Sequence, residues 1–452
     1  MQIQHVKSFS RKKFLIGLIA LIATLLIDTS VVKINDLVDK FFIPMQGKLI
    51  LFAVNSSLIL ILQYFLIKYI ENSFESIRLR KSLRVKVIYM IFKASLGLLA
   101  VLIGALIFQM FYYSYYYTSI SIAIILLSYG IAAALIIFMS VSFFSWYRSN
   151  HSLIVFLYFI AMLGIAFNLV ITAAFVAVKV NDRPNPATEY VGSSGDVSGG
   201  KYESLESVYR ISSFVAFFSI WITTAILMNS YREKLVNAIV YWVILSIPLV
   251  YFLITFFYQF LLANFLSSYL AIDPVTVSIM LAAFVSLSKP IGGLLFGVAF
   301  WKISRIVSYE RNIRAYMFIS GWGIFLIFSA NQAATQIVAP YPPFGLATIT
   351  VLVMAAFLML LGIYNSAILV SANNELRKSI YRHAVESRLL RLIGQAEMES
   401  EIEKTVRKIS KDKNILQIDM EQRQLLEIDE KGLKKYLDLV IREVKKVDEN
   451  NH

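Results

Sequence analysis

The sequence predicts an all-α membrane protein: a polytopic bundle of about ten transmembrane helices followed by an amphipathic helical tail. Two observations lead to this fold class. Of the 452 residues, 58% are hydrophobic and only 16% are charged, whereas soluble domains carry about 25% charged residues. The charges also fall between apolar runs of about 20 residues, which is the length of a helix that crosses a bilayer.

The apolar runs give approximate bounds for the ten predicted spans. In chain order they are 14–33, 49–70, 87–111, 118–143, 153–178, 211–230, 237–259, 275–300, 315–338 and 346–371. The first run follows Arg11, Lys12 and Lys13, as in a signal peptide. It is long, however, and lacks a clean small-residue cleavage site, so we expect it to be retained as the first span.

The distribution of basic residues predicts that both termini lie in the cytoplasm. The net charge is +14, but the tail from Ala372 onwards holds 17 Lys and Arg against 16 Asp and Glu. In the membrane region, 16 basic residues fall in segments that this orientation places inside, and 7 fall in outer segments or, in the case of Lys33, at the outer end of a span. This is the positive-inside pattern. The expected partner is therefore the lipid bilayer, and we expect no nucleic acid.

We divide the chain into three parts. Residues 1–117 hold the first three spans, 118–371 form a seven-helix region, and 372–452 form the cytoplasmic tail. The seven-helix region contains one sizeable outer loop at 181–209. This loop is rich in glycine and serine, which favours a linker over a mobile lid.

The tail predicts two amphipathic helices, over about 374–411 and 431–447. The stripe of the first includes Leu389, Ile393 and Ala396. Two narrow apolar stripes cannot bury much surface by themselves. Three alternatives stay open for the 374–447 helices: packing on each other, self-association with another copy, or binding of a protein partner.

Motifs of soluble enzymes are missing from the sequence. There is no cysteine and there are four scattered histidines, which excludes disulfides and thiolate chemistry and leaves no compact histidine metal centre. Phosphate-binding loops, His-Glu-x-x-His and Gly-x-Ser-x-Gly are also missing. We therefore predict no catalytic residue, no metal and no cofactor, and an enzyme is the less favoured class.

The strongest candidate for a functional residue is Lys289. Ionisable side chains inside spans are costly to bury unless they are paired or wetted, so they mark functional sites. Lys289 lies roughly 20 Å from the expected inner end of its span. Pro290 follows it, and then Gly292 and Gly293, so we expect a helix break beside the cation. The alternative is a structural ion pair with Asp28, which lies at a similar depth.

Several amides fall near the same depth. They are Asn55, Asn168, Asn331 and Gln332. Together with Lys289 and Asp28 they form a predicted polar layer in the outer half of the bundle, which is a candidate ligand-binding site. The alternative is that the amides only hold helices together, at about 1 kcal/mol each. The sequence does not reveal which way each helix faces.

Spans four to ten, followed directly by the helical tail from Asn374, resemble the seven-helix sensory regions of receptor histidine kinases. His383 lies on the tail helix, but no proline follows it and the tail is too short for an ATP-binding domain. Kinase activity is therefore not expected. The segments 374–380 and 392–399 also resemble uncharacterised multi-pass membrane proteins of ammonia-oxidising archaea, which implies an archaeal cell membrane and no particular activity.

Three functions follow from these features. The first is a sensory or signalling-type protein whose tail is the output. The second is a transporter or channel for a small or anionic solute that binds at Lys289. The third is a membrane scaffold whose tail recruits partners.

Overall fold

A computed structural model of the chain describes residues 11–38, 45–73, 83–181, 203–229, 238–257, 274–306, 311–334, 341–372 and 388–418. Within these ranges all regular secondary structure is helical and no strand occurs. The predicted all-α fold class is therefore confirmed. The tail segments 374–387 and 431–447 lie outside the described residues.

The described residues form eleven helices. They are α1 (Arg11–Val38), α2 (Met45–Ser73), α3 (Leu83–Tyr113), α4 (Thr118–Asn150), α5 (Leu153–Asn181), α6 (Glu203–Met228), α7 (Ala238–Phe257), α8 (Pro274–Ile306), α9 (Arg311–Ala334), α10 (Leu346–Ala372) and α11 (Arg388–Ile418). Each of the helices α1 to α10 overlaps one of the ten predicted apolar runs, with ends that differ by up to eight residues. The helix α11 belongs to the tail and extends farther than its predicted end near residue 411.

The chain is a multi-pass integral membrane protein. Within the described residues, eight helices, α2–α6 and α8–α10, are long and apolar enough to cross a membrane. The helix α7 contributes a shorter apolar segment, Ile239–Thr255, and α1 is a 28-residue helix over the first apolar run. The large apolar side chains Ile61, Val101 and Phe108 point outward from α2 and α3, as a lipid-facing surface requires.

The helix α10 is the centre of the bundle. Its segment Leu346–Ser371 is buried except at Tyr364, Ile368 and Leu369, which are partly exposed, in agreement with its apolar character on all sides. The helices α1, α2, α3, α4, α9 and α11 surround it. The closest neighbour is α9, because Gly323 on α9 has no side chain to hold it away from Ala355 and Met359 of α10.

The first three helices cover one side of α10. The ring of Phe92 on α3 stacks on Phe357 of α10, with the centroids 3.8 Å apart. Gln63 Nε2 on α2 donates a hydrogen bond to Thr350 Oγ1 at 2.9 Å. The central helix of the predicted seven-helix region is therefore enclosed partly by residues of the 1–117 segment.

The outer loop predicted at 181–209 ends earlier than expected. The helix α6 already begins at Glu203. A Glu206–Arg210 salt bridge of 2.6 Å between residues four apart supports its first turns. The turn with Tyr209, which hydropathy assigned to the loop, is therefore part of a helix.

Candidate functional site

Lys289 is enclosed on α8, with 2% of its surface exposed. Its Nζ donates hydrogen bonds to Tyr209 OH at 2.8 Å and to Ser213 Oγ at 3.4 Å, both on α6. The same ammonium lies 4.9 Å from the centroid of the Tyr209 ring, within the range of a cation–π contact. That ring in turn stacks on Phe175 of α5 at 5.0 Å. Two hydroxyls and one aromatic ring thus contact the buried cation.

Hydrogen bonds continue from this point across the bundle. Asn168 on α5 donates from Nδ2 to Ser213 Oγ at 2.9 Å and to Ser212 Oγ at 3.0 Å. Its Oδ1 accepts a hydrogen bond from Asn331 Nδ2 on α9 at 2.9 Å. Asn331 Oδ1 then accepts from Tyr129 OH on α4 at 3.2 Å. A continuous buried network therefore joins five helices, α4, α5, α6, α8 and α9.

We call this set the Lys289 network; its members are Lys289, Tyr209, Ser212, Ser213, Asn168, Asn331 and Tyr129. It brings together three residues of the predicted polar layer, namely Lys289, Asn168 and Asn331. These three residues are therefore linked by hydrogen bonds, and their role in ligand binding stays a prediction. Asn168 and Asn331 each donate and accept hydrogen bonds within this network. Their side-chain positions are fixed, because the loss of any one bond would leave a buried polar group without its partner.

The predicted helix break after Lys289 is wrong. The helix α8 is continuous from Pro274 to Ile306 and contains Pro290 in its interior. Proline cannot donate to the carbonyl four residues before it, which weakens the helix locally. Gln332 Nε2 of α9 donates to the adjacent carbonyl, Val285 O, at 2.8 Å. Gln332 thus supports α8 near the proline, which is one way in which spans tolerate proline.

Gly292 and Gly293 are positions of close helix contact. A Cβ atom at Gly292 would overlap the ring of Phe217 on α6. A Cβ atom at Gly293 would lie 2.9 Å from Phe328 Cβ and 3.1 Å from Phe325 O on α9. The two glycines therefore let α8 approach the helices that carry Tyr209 and Asn331, instead of opening α8 as expected.

Asp28 is completely buried but belongs to a different group. Its Oδ2 accepts hydrogen bonds from Thr348 Oγ1 at 2.6 Å and from Gly345 N at 3.1 Å. Both donors lie at the N-terminus of α10, where the first backbone N–H groups have no partner inside the helix. The carboxylate therefore caps α10 from another helix. The ion pair with Lys289, weighed as the alternative, is not formed.

Asn55 accompanies Asp28. Its Nδ2 donates to Thr24 O on α1 at 3.4 Å, and its side chain lies beside the Asp28 carboxylate. We call Asp28, Asn55, Gly345 and Thr348 the Asp28 site. The predicted polar layer is thus two groups: the Lys289 network, with Gln332 next to it, and the Asp28 site.

Sequence reasoning missed several members of both groups. Tyr209 was assigned to the outer loop, and Ser213, Tyr129 and Thr348 were not considered. Tyr209 and Ser213 are four residues apart, so they share one helix face. Extending the sixth span by two turns would have placed Tyr209 on the same helix face as Ser213, which already lay within the predicted span.

The first turns of the tail helix dock on the bundle. Trp146 Nε1 on α4 donates to Glu397 Oε2 on α11 at 2.7 Å, and both side chains are buried. Gly394 of α11 lies against Val370 of α10, and Ile393 is fully buried. The part of the predicted apolar stripe from Leu389 to Ala396 is buried and therefore packs on the chain's own bundle.

Comparisons with protein-family models, with curated proteins and with solved structures find no match to this chain. Among the described residues, no group of three or more His, Asp or Glu side chains could hold a metal ion. What the geometry offers is a buried cation within hydroxyl and amide groups, a buried carboxylate at a helix end, and a docked tail helix.

Proposed function

We propose that this membrane protein is of the sensory or signalling type and that its tail helix transmits the state of the bundle. The observation that carries this proposal is the buried contact of Trp146 with Glu397. A tail that only followed the last span would need no polar contact with α4. A docked helix, in contrast, can be held or released according to how the spans are arranged.

The helix α4 connects the Lys289 network to this contact. Tyr129 belongs to the network and Trp146 holds the tail; the sequence separation of 17 positions between them corresponds to roughly 25 Å along one helix. Physical coupling between distant sites requires such a rigid element, which both ends can bias. We propose that a small or anionic ligand binds at the Lys289 network and that α4 transmits this binding to the tail helix, in keeping with the resemblance to seven-helix sensory regions.

The direct test is to remove the hydrogen-bond donor from the docking contact. Trp146→Phe keeps an aromatic ring but cannot donate to Glu397. A hydrogen bond to a charged group contributes about 1.5–3 kcal/mol, so we expect amide hydrogen exchange over 389–400 to accelerate about tenfold or more. Trp242→Phe on α7, where the tryptophan is exposed, is the matched control and should leave that exchange unchanged.

The output is tested with native membranes. Full-length protein and protein ending at Ala372 are compared in a crosslinking pull-down, with Trp146→Phe as a third sample. We expect partners that depend on the tail and that change with Trp146→Phe. A tail without any dependent partner would contradict both the sensory proposal and the scaffold alternative.

Transport of a small or anionic solute is the second candidate, and the Lys289 network favours it. A cation in mid-helix, with polar groups from four other helices, is the composition of a substrate site in many transporters. Under either function we expect Lys289→Met to abolish activity, measured as uptake into liposomes or as tail-dependent signalling. Full activity in a correctly inserted variant would refute the assignment of Lys289.

The membrane topology belongs to the same proposal. We place both termini in the cytoplasm, on the strength of the basic residues in the segments on that side. The resemblance of the tail to proteins of ammonia-oxidising archaea supports an archaeal cell membrane. Both placements follow from the sequence, and labelling of single introduced cysteines from either side of the membrane tests the first.

A further inference from the structure

The Asp28 carboxylate accepts hydrogen bonds at one of its two oxygens. Oδ2 accepts from Thr348 and from Gly345 N, whereas Oδ1 is buried and has no partner at hydrogen-bonding distance. The Asn55 amide lies beside the carboxylate but donates to Thr24 O. The side chain is not exposed at all. An unpartnered carboxylate oxygen in an apolar interior is costly, so this atom is available to a ligand that supplies positive charge or a donor.

No charged group neutralises Asp28 among the described residues of the elements packed on α1. These elements are α2, α8, α9 and α10. On α2, Lys48 lies two turns from Asn55 and is not bonded to Asp28; on α8, Lys289 donates to Tyr209 and Ser213. The described parts of α9 and α10 near this end carry only neutral polar side chains. Tyr341, in the segment before α10, donates its hydroxyl to Met110 O at 3.2 Å.

We propose that Asp28 is a proton-binding site and that protonation of Oδ1 weakens the cap on the central helix α10. This inference rests on the sensory function proposed above and adds a second stimulus to the ligand at the Lys289 network. A metal cation is the poorer candidate, because Gly345 N–H and the positive end of the α10 dipole lie beside the carboxylate. A proton needs only one free oxygen, and Oδ1 is such an oxygen.

The surroundings of Asp28 stabilise both its ionised and its neutral form, each by a different interaction. The ionised carboxylate is stabilised by two donors and by the helix terminus. The neutral acid avoids the cost of a buried charge. Uptake of one proton converts the carboxylate into a carboxylic acid, whose Oδ2 is a weaker acceptor for Thr348 and Gly345. The N-terminus of α10 is then held less firmly.

The other end of α10 carries the consequence to the tail. Val370 lies against Gly394 of α11, so a displacement of α10 alters the surface on which the tail helix docks. The helix is buried over most of its length and therefore moves as a packed element rather than by bending at a free end.

The proton site is tested by infrared spectroscopy of the full-length protein in liposomes at a series of pH values. We expect a carbonyl stretching band of a buried carboxylic acid that appears as the pH falls and is lost in Asp28→Asn. Thr348→Val should change the frequency of the band without removing it, since it deletes one hydrogen bond and keeps the acid. Glu206→Gln, at a half-exposed carboxylate on α6, should leave the band intact.

The link to the tail is tested in the same samples by hydrogen exchange over 389–400. We expect wild-type protection to fall at low pH, and Asp28→Asn to show the weaker protection at every pH, with exchange about fivefold faster. No titrating band, or a band that persists in Asp28→Asn, would overturn the proton site. A band lost in Asp28→Asn with pH-independent protection would overturn the coupling to α10, while the Trp146→Phe result separately decides the sensory proposal.

Discussion

Replacement of Gly323 by alanine should destabilise the bundle, because it forces the two innermost helices apart. A Cβ atom at this position would lie 2.6 Å from Met359 N and 2.9 Å from Ala355 O. Both are backbone atoms of α10, where Ala355 and Met359 are fully buried among other helices, so a shift of α10 at this point also disturbs its other contacts. Restoring an ordinary contact of 3.4 Å therefore requires a separation of about 0.8 Å between α9 and α10.

The expected magnitude combines two opposing effects. Overfilling a packed interior costs about 1–3 kcal/mol, whereas alanine favours a helix over glycine by about 0.5–1 kcal/mol. Gly323→Ala should therefore be destabilising by about 1–2 kcal/mol. Gly104→Ala on α3 is the matched control, since nothing lies within 4 Å of its Cβ position. Only the helix preference acts there, so it should stabilise by about 0.5–1 kcal/mol.

The assay is unfolding of each purified variant in mixed micelles with an increasing fraction of denaturing detergent, followed by circular dichroism. The two alanine variants should differ by about 2 kcal/mol, or roughly 30-fold in the unfolding equilibrium. A Gly323→Ala protein as stable as Gly104→Ala would refute the inference that α9 and α10 are in backbone contact at this point.

Two further predictions concern single hydrogen bonds. Asn168→Leu removes the donor to Ser213 and the acceptor for Asn331 while keeping the volume, so we expect a loss of about 1–3 kcal/mol in the same unfolding assay; an unchanged midpoint would contradict the network. At the turn between α3 and α4, the hydrogen bond between Tyr115 and Tyr117 raises the pKa of the Tyr115 hydroxyl. In Tyr117→Phe we expect Tyr115 to ionise at lower pH than in the wild type, as read from tyrosine ring signals in NMR titrations, and an unaltered titration would exclude this bond in solution.

The helices were predictable from the sequence because a bilayer leaves the backbone few choices. Each apolar run must satisfy its own N–H and C=O groups, and a helix does so within one segment. The helix ends were less predictable, since hydropathy reports on side chains and not on backbone hydrogen bonds. The residues from Glu203 to Tyr209 are mostly polar and yet helical, because Glu206 and Arg210 form a pair one turn apart.

The depth of the polar residues in the membrane was predictable from the sequence, but the direction in which each side chain points from its helix was not. A fixed rise per residue placed Lys289, Asn168 and Asn331 at comparable levels, and these three are indeed joined. The same reasoning placed Asp28 at that level, yet α1 faces α10 there and its carboxylate meets Thr348. Rotation of a helix about its axis depends on side-chain packing against several neighbours, which one sequence does not specify.

The two polar groups meet in the α9–α10 pair. The Lys289 network holds α9 through Asn331, and the Asp28 site holds α10 through its first turn. Because Gly323 brings α9 and α10 into backbone contact, a force applied to either helix is shared by both. The tail contacts this pair at Val370 and contacts α4 at Trp146. A ligand at Lys289 and a proton at Asp28 would therefore act on the same docking surface by two routes, α4 and α10, and the effects of Lys289→Met and Asp28→Asn on tail exchange should be non-additive.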